Sequence, residues 1–397
     1  MRRRLKIFIF LILAVLLPLV ITNEIIRFTW YRRLFLVKFL RKDWELMSSL
    51  QPGFEGKFQV GLLNYSVWKG TNAEWELKVN SQGLRSFKEI GPRPANVFRI
   101  ICLGDSTTFG LDLNYPDTYP AQLASILESA VAQPARIETI NAGVPTYSSR
   151  QGLVALSTRL TRYQPDLVIV ELGFNDEGSR TLGYLSPTDN QLLPGDIRNG
   201  FSKIYRSPLN LAYFELDRQP LIAFAKNLFL NWVMVFRLYP AINEMAKHPQ
   251  PAGVEEKRER RAEAFKRSRI SRVPASDLVA NYEGIADLAE KNGFRLVFYI
   301  PYVLHPAYRF LILTVAQEHH IPVVDFYGKM MQYKLEMLAA NPVYAELLSD
   351  YRHRLGDDFL RKNPQYLVTT DGLHPNAVGN RIIAEKIAKV ILSQRAP

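Results

Sequence analysis

Cysteine is almost absent from this chain of 397 residues: Cys102 stands alone, so no internal disulfide can form. It lies in the run Val97-Phe98-Arg99-Ile100-Ile101-Cys102-Leu103, where a small buried thiol is expected. Histidine is scarce as well, at six residues, and no Cys/His cluster has the spacing of a structural zinc site. Acidic residues are outnumbered, 38 against 50 lysines and arginines, which leaves a net charge of +12. A long uncharged apolar run is lacking too. The stretch from Ile7 to Ile21 has 15 residues, where about 20 cross a bilayer comfortably. What is present is ordinary globular material. An apolar content of 47% and a charged content of 22% exclude a disordered chain, and the length suffices for a full α/β core.

The N-terminal run still reads as an anchor. Leu5, Thr22 and Ile25-Ile26 extend it if Lys6 and Asn23 reach out to the headgroups. A cleaved signal peptide should end in a small-x-small site, and Val20-Ile21-Thr22 is a poor one. Residues 1–45 are therefore expected to hold a single uncleaved transmembrane helix and a juxtamembrane segment. Arginines flank the run on both sides (Arg2, Arg3 and Arg4; Arg27, Arg32 and Arg33). A first helix usually behaves as a signal anchor, which places the body outside the cytoplasm. The basic residues do not gather in one nucleic-acid motif but cluster at 27–42 and 257–272. The first cluster mixes Phe28, Trp30 and Tyr31 with arginines, which suits anionic headgroups, so a membrane partner is expected and a nucleic acid is not.

Residues 46–95 read as a small β-rich extension: 58–63 and 75–80 partly alternate, and Gly91-Pro92-Arg93-Pro94 marks a boundary near 95. From 96 to 397 apolar strands alternate with amphipathic helices. Strands are expected at 97–103, 137–141, 167–172, 295–300 and 322–326, and helices at 118–132, 150–163, 276–292, 307–319 and 375–393. That alternation means a parallel sheet covered on both faces, with sites outside the carboxyl ends of its strands. Between 178 and 275 it stops. There 221–236 reads as a buried or membrane-resting helix, and 254–272, with eight basic side chains among glutamates, as a solvated helix.

Three islands carry chemistry. Ser106 follows the first strand in Gly104-Asp105-Ser106, on a turn that projects its hydroxyl over the sheet edge; the hydroxyl needs a base to become a nucleophile. His374, in Asp371-Gly372-Leu373-His374-Pro375, is the best-placed base. Asp371, three residues earlier, can take its Nδ1 proton and leave Nε2 to accept from Ser106. Pro375 is a good first helical residue. His305, in a loop after a strand, is the reserve base; His319 and His320 close a helix, and His248 and His353 lie in polar segments. Asn175 and Gly143, each at a strand end, can aim an amide at a developing oxyanion. In isolation each island also reads as an ordinary turn or helix cap.

Together they resemble the SGNH or GDSL hydrolases over residues 97–395. The motifs are Leu103-Gly104-Asp105-Ser106, Asn141-Ala142-Gly143, Gly173-Phe174-Asn175-Asp176 and Asp371-Gly372-Leu373-His374-Pro375-Asn376. The resemblance implies Ser106 as nucleophile, His374 as base, Asp371 as its orienter, and the Ser106 N–H, Gly143 N–H and Asn175 as oxyanion hole. It also implies a flavodoxin-like three-layer α/β/α fold with no metal and no cofactor. Thr146 departs from the pattern, since relatives often carry glycine there, and Asn80-Ser81-Gln82-Gly83-Leu84-Arg85 is similar to a segment preceding the hydrolase domain in membrane-anchored relatives. The expected activity is hydrolysis of acyl esters, short O-acetyl groups on surface polysaccharide before lipid esters, through an acyl-enzyme. Acyl transfer to a sugar hydroxyl would use the same residues, and a catalytically silent binding protein would keep the same fold.

Overall fold

Residues 97–104, VFRIICLG, are buried at seven of eight positions and 167–171, LVIVE, at all five. Strands apolar on both faces must be covered on both. The computed structural model describes residues 39–43, 45–60, 67, 73–130, 136–177, 189–192 and 271–394. The anchor expected within 1–38 and most of the 178–275 insertion lie outside these. Among the described residues no helix is long and apolar enough to cross a membrane.

Strands β1 (Glu55–Gln59) and β2 (Glu74–Lys78) pair antiparallel in the extension. The larger sheet holds β3 (Val97–Gly104), β4 (Arg136–Gly143), β5 (Leu167–Glu171), β6 (Arg295–Ile300) and β7 (Val323–Asp325), all parallel, in the order β4-β3-β5-β6-β7. Alternate residues serve opposite faces. Ile100, Cys102, Ile169, Val297 and Tyr299 share a core with Leu123 and Leu127 of helix Tyr119–Ala130 and with Ile383 and Ile387 of helix Ala377–Ser393. On the other face Phe298 meets Tyr282 of helix Ala275–Asn292 edge-on at 4.9 Å, and that helix packs on Ser149–Ala155 and Pro306–Glu318. The chain leaves β3 toward β4 and returns to its other side as β5, so the carboxyl end of β3 is the switch point where a site is expected.

Several local expectations shift. The helix read at 150–163 is regular only over Ser149–Ala155, then widens into a π-type turn at 156–160. The Ser157 and Thr158 hydroxyls both reach the Val154 carbonyl (3.1 and 2.8 Å) and compete for it. Pro375 is not the first residue of the last helix. It bridges to Thr369, and Asn376 caps the helix by accepting from the Gly379 N–H at 3.0 Å. His353 lies in a helix, Pro342–Leu355, that pattern reading left out. Asn341 caps it by accepting from Val343 N–H at 3.0 Å, and Leu348 alone is fully buried, so no apolar face marks it.

The extension has a structural task beside the sheet. Asn80 shapes its turn by accepting from Gln82 and Leu84 N–H and donating to Lys88 O. That turn delivers Arg85, fully buried between the Trp75 and Phe109 rings, to the carbonyls of Phe109, Gly110 and Leu113. Burial lowers its pKa to about 9. These carbonyls belong to the loop directly after Ser106–Phe109. Arg85→Met removes the charged donor from all three, leaving Phe109 O to Asn141 Nδ2 and Gly110 O to Leu113 N–H, and should cost about 3 kcal/mol, read as a lower urea midpoint at unchanged slope; an unchanged midpoint would show that Arg85 does not brace this loop.

Candidate active site

Gly104 and Gly143 sit opposite each other at the ends of β3 and β4. A Cβ on Gly104 would come 2.1 Å from Thr108 Oγ1 and 2.7 Å from the Glu171 carbonyl, and one on Gly143 would come 2.1 Å from Phe109 N. Only glycine lets the short helix Ser106–Phe109 lie on these strand ends. Asp105 caps it by accepting from Thr107 N–H, and Gly110, at φ 81°, ends it.

Ser106 is thereby held half-buried at the switch point, and the base arrives from far along the chain. His374 Nε2 lies 2.9 Å from Ser106 Oγ, and His374 Nδ1 lies 2.8 Å from Asp371 Oδ2. Asp371 Oδ1 also accepts the N–H groups of Leu373 and His374 at 2.9 and 2.7 Å, so the carboxylate shapes its own turn. The Tyr302 hydroxyl, 3.0 and 2.8 Å from the Gly372 and Leu373 carbonyls, braces that turn from β6's end. Burial alone would lower His374. The hydrogen bond and charge of Asp371, backed by Asp112 and Asp105, outweigh it, and the imidazole pKa is raised. Burial would raise Asp371, but His374 and the turn's N–H groups bring it below the usual carboxylate value. His305 is not brought to Ser106: it caps helix Pro306–Glu318, and its Nδ1 accepts from Ala307 N–H at 3.1 Å.

Asn175 reaches the same place from β5. Its Nδ2 donates to Asp105 Oδ2 at 2.7 Å and to the Tyr147 carbonyl at 3.1 Å. Beneath lies Glu171, fully buried, whose Oε2 accepts from Thr108 Oγ1 at 3.0 Å and Asp105 N–H at 3.3 Å. Burial, then the Asp105 charge, push Glu171 well above the carboxylate range beneath Ser106.

Gly143 is a correction. Strand β4 runs two residues further than expected, and the Gly143 N–H donates to Asn141 Oδ1 at 3.0 Å. Its role is close packing under Phe109. The loop turns later, at Thr146, which is half-buried and carries φ +75°. Among the described residues no hydrogen bond engages the N–H of Ser106 or of Thr146. Arg272, read from sequence as one charge on a solvated helix, is instead only 17% exposed and bonds Thr146 O, Gln151 Oε1 and Asp189 Oδ2. Nothing in its sequence neighbourhood marks it.

The description "GDSL-like Lipase/Acylhydrolase family" matches residues 102–382, and the chain belongs to that family. No curated protein matches. Solved structures similar to it include a lipase/acylhydrolase from Enterococcus faecalis, at 14% identity over 75% of this chain and 96% of that one, with a TM-score of 0.36. The psychrotrophic esterase EstA from Pseudoalteromonas sp. shares 13% identity over 75% and 98%, with a TM-score of 0.36. An acetyl xylan esterase, AlAXEase, shares 14% over 74% and 99%, with a TM-score of 0.35.

If His374 must be neutral to accept a proton, its raised pKa places the rising limb of kcat/KM above the ordinary imidazole value of 6.5. Asp371→Asn removes the hydrogen-bonded charge that raises it. The limb should move to lower pH while the plateau falls by roughly 10⁴-fold; a limb that stays in place would separate the pH dependence from this pair.

Proposed function

We propose that this protein is a membrane-anchored serine esterase that works through an acyl-enzyme. The observation that carries the reading is one imidazole bridging Asp371 at 2.8 Å and the Ser106 hydroxyl at 2.9 Å, at the carboxyl end of β3. Ser106 Oγ bonds to the acyl carbon as its proton passes to His374 Nε2, and the carbonyl π pair moves onto oxygen. The alkoxide leaves with that proton. Water repeats the sequence, and the carboxylic acid departs from a restored Ser106.

The oxyanion is received by the N–H groups of Ser106 and Thr146, with Asn175 Nδ2 exchanging its longer bond, to Tyr147 O, for the charged oxygen. Thr146 thus takes the place assigned by sequence to Gly143. The favoured substrate is a short ester, an O-acetyl group on cell-surface polysaccharide. The reading of 221–236 as a buried or membrane-resting helix, rather than the wall of an acyl-chain groove, supports it.

Full-length protein in detergent, assayed on p-nitrophenyl esters from acetyl to dodecanoyl, should work fastest on acetyl. Ser106→Ala should lose more than about 10³-fold in kcat. A maximum at long chains would replace polysaccharide by lipid. No rate above Ser106→Ala would remove the esterase and leave acyl transfer or binding. The anchor reading, motivated by the apolar run at 7–21, places the body outside the cytoplasm. Protease added to intact cells should then digest residues 46–397, and protection of the body would reverse the orientation.

A further inference from the structure

Threonine is a poor occupant of the left-handed region. Its branched Cβ crowds the backbone there, and such a residue persists only where its surroundings over-determine it. Thr146 holds φ +75° in the loop between β4 and helix Ser149–Ala155. One side chain outside the four sequence motifs grips its peptide. Arg272 Nη1 donates to the Thr146 carbonyl at 2.9 Å, while Nη2 donates to Gln151 Oε1 at 2.8 Å and Asp189 Oδ2 at 2.9 Å.

The grip is itself anchored. Asp189 is 1% exposed, accepts from Ser148 Oγ at 2.7 Å, and its N–H donates to the Arg272 carbonyl at 2.9 Å. The next residue's N–H, from Val273, donates to the Asp176 carbonyl at 3.2 Å, directly beside Asn175. Ser148 and Gln151 form the capping box of the helix that follows Thr146. One planar fork therefore ties the Thr146 loop, the helix cap behind it and the stretch supporting Asn175, a span of acceptors that a lysine ammonium cannot reproduce.

We infer that Arg272 is a positioning residue: by holding the Thr146 carbonyl it keeps this threonine left-handed and its N–H turned to the oxyanion. The inference rests on the esterase reading above. Without the guanidinium, Thr146 relaxes toward negative φ and the donor swings away. Substrate still binds, and the transition state loses one donor. Glycine adopts positive φ as readily as negative, so glycine at 146 needs no such clamp.

The test is a double-mutant cycle on the full-length protein with p-nitrophenyl acetate. Arg272→Gln should lower kcat by about 10- to 100-fold with KM within about threefold, the signature of an interaction made in the transition state. Adding Thr146→Gly should return kcat to within about fivefold of Thr146→Gly alone. Arg272→Lys keeps a charge beside Asp189 and should show the same loss and rescue, which covers a Gln variant that does not fold. A purely structural role at Asp189 would leave the loss as deep with glycine at 146, and that result would overturn the inference. So would Arg272 variants whose kcat stays within threefold of the wild type. Wild-type protein with no Ser106-dependent rate would instead fell the esterase reading, and the inference with it.

Discussion

The geometry around Ser106 depends on how closely a helix can approach the ends of three strands. Gly104 and Gly143 are paired across β3 and β4, and Gly104 is paired with Glu171 across β5. Neither glycine has room for a Cβ, because the backbone and side chains of Ser106–Phe109 already occupy that space. Ser106 is therefore presented on a turn seated on the sheet rather than on a loop above it. Its hydroxyl inherits the rigidity of the strands, and Arg85 and Thr118 close over the same turn at Gly110. A site placed this way needs little induced ordering to meet its base.

The same closeness sets the electrostatics. Asp105, Glu171 and Asp176 are all buried within a few residues of a strand end, and burial raises each of them. Several carboxyls charged at once would repel. Glu171 is pushed well above the carboxylate range, while Asp105 accepts from Thr107 N–H and Asn175 Nδ2. Asp176, raised to about 7, accepts Ser149 N–H at 2.7 Å and pins the Asn175 turn to the neighbouring helix. The carboxyls beneath Ser106 act as hydrogen-bond fixtures, and the charge paired with His374 belongs to Asp371.

Strong periodicity made the sheet legible: β3, β5 and β6 fall where continuous apolar runs had put them, because burial on both faces leaves few alternatives, and β4 and β7 were placed by their alternation with helices. Ser106, His374, Asp371 and Asn175 were legible because strand ends and spacing restrict which polar groups can meet. Gly143 misled for a physical reason. A glycine at a strand end can serve either backbone approach to a ligand or close packing, and the two leave the same letter; only the Asn141 bond to its N–H separates them. Thr146 was visible as an oddity but not as a donor, since its positive φ depends on Arg272, more than a hundred residues away. The helices between 335 and 362 were missed because each buries only one or two side chains, packing on one another and on helix Ala377–Ser393.

The separation of nucleophile and base along the chain has a temporal side. Ser106 and His374 are 268 residues apart. At about 5–20 residues per second, synthesis reaches the histidine roughly 13–54 s after the serine. The β3 turn can be made, and its serine exposed, long before the His374 imidazole that meets it is synthesised. During that interval the emerging chain carries an unactivated alcohol, harmless to whatever esters surround it. Reactivity switches on only when helix Ala377–Ser393 docks on Tyr119–Ala130, where the Asn380 side-chain oxygen accepts the Tyr119 N–H at 2.7 Å. Completion of folding and assembly of the Ser106–His374–Asp371 set are thus the same event.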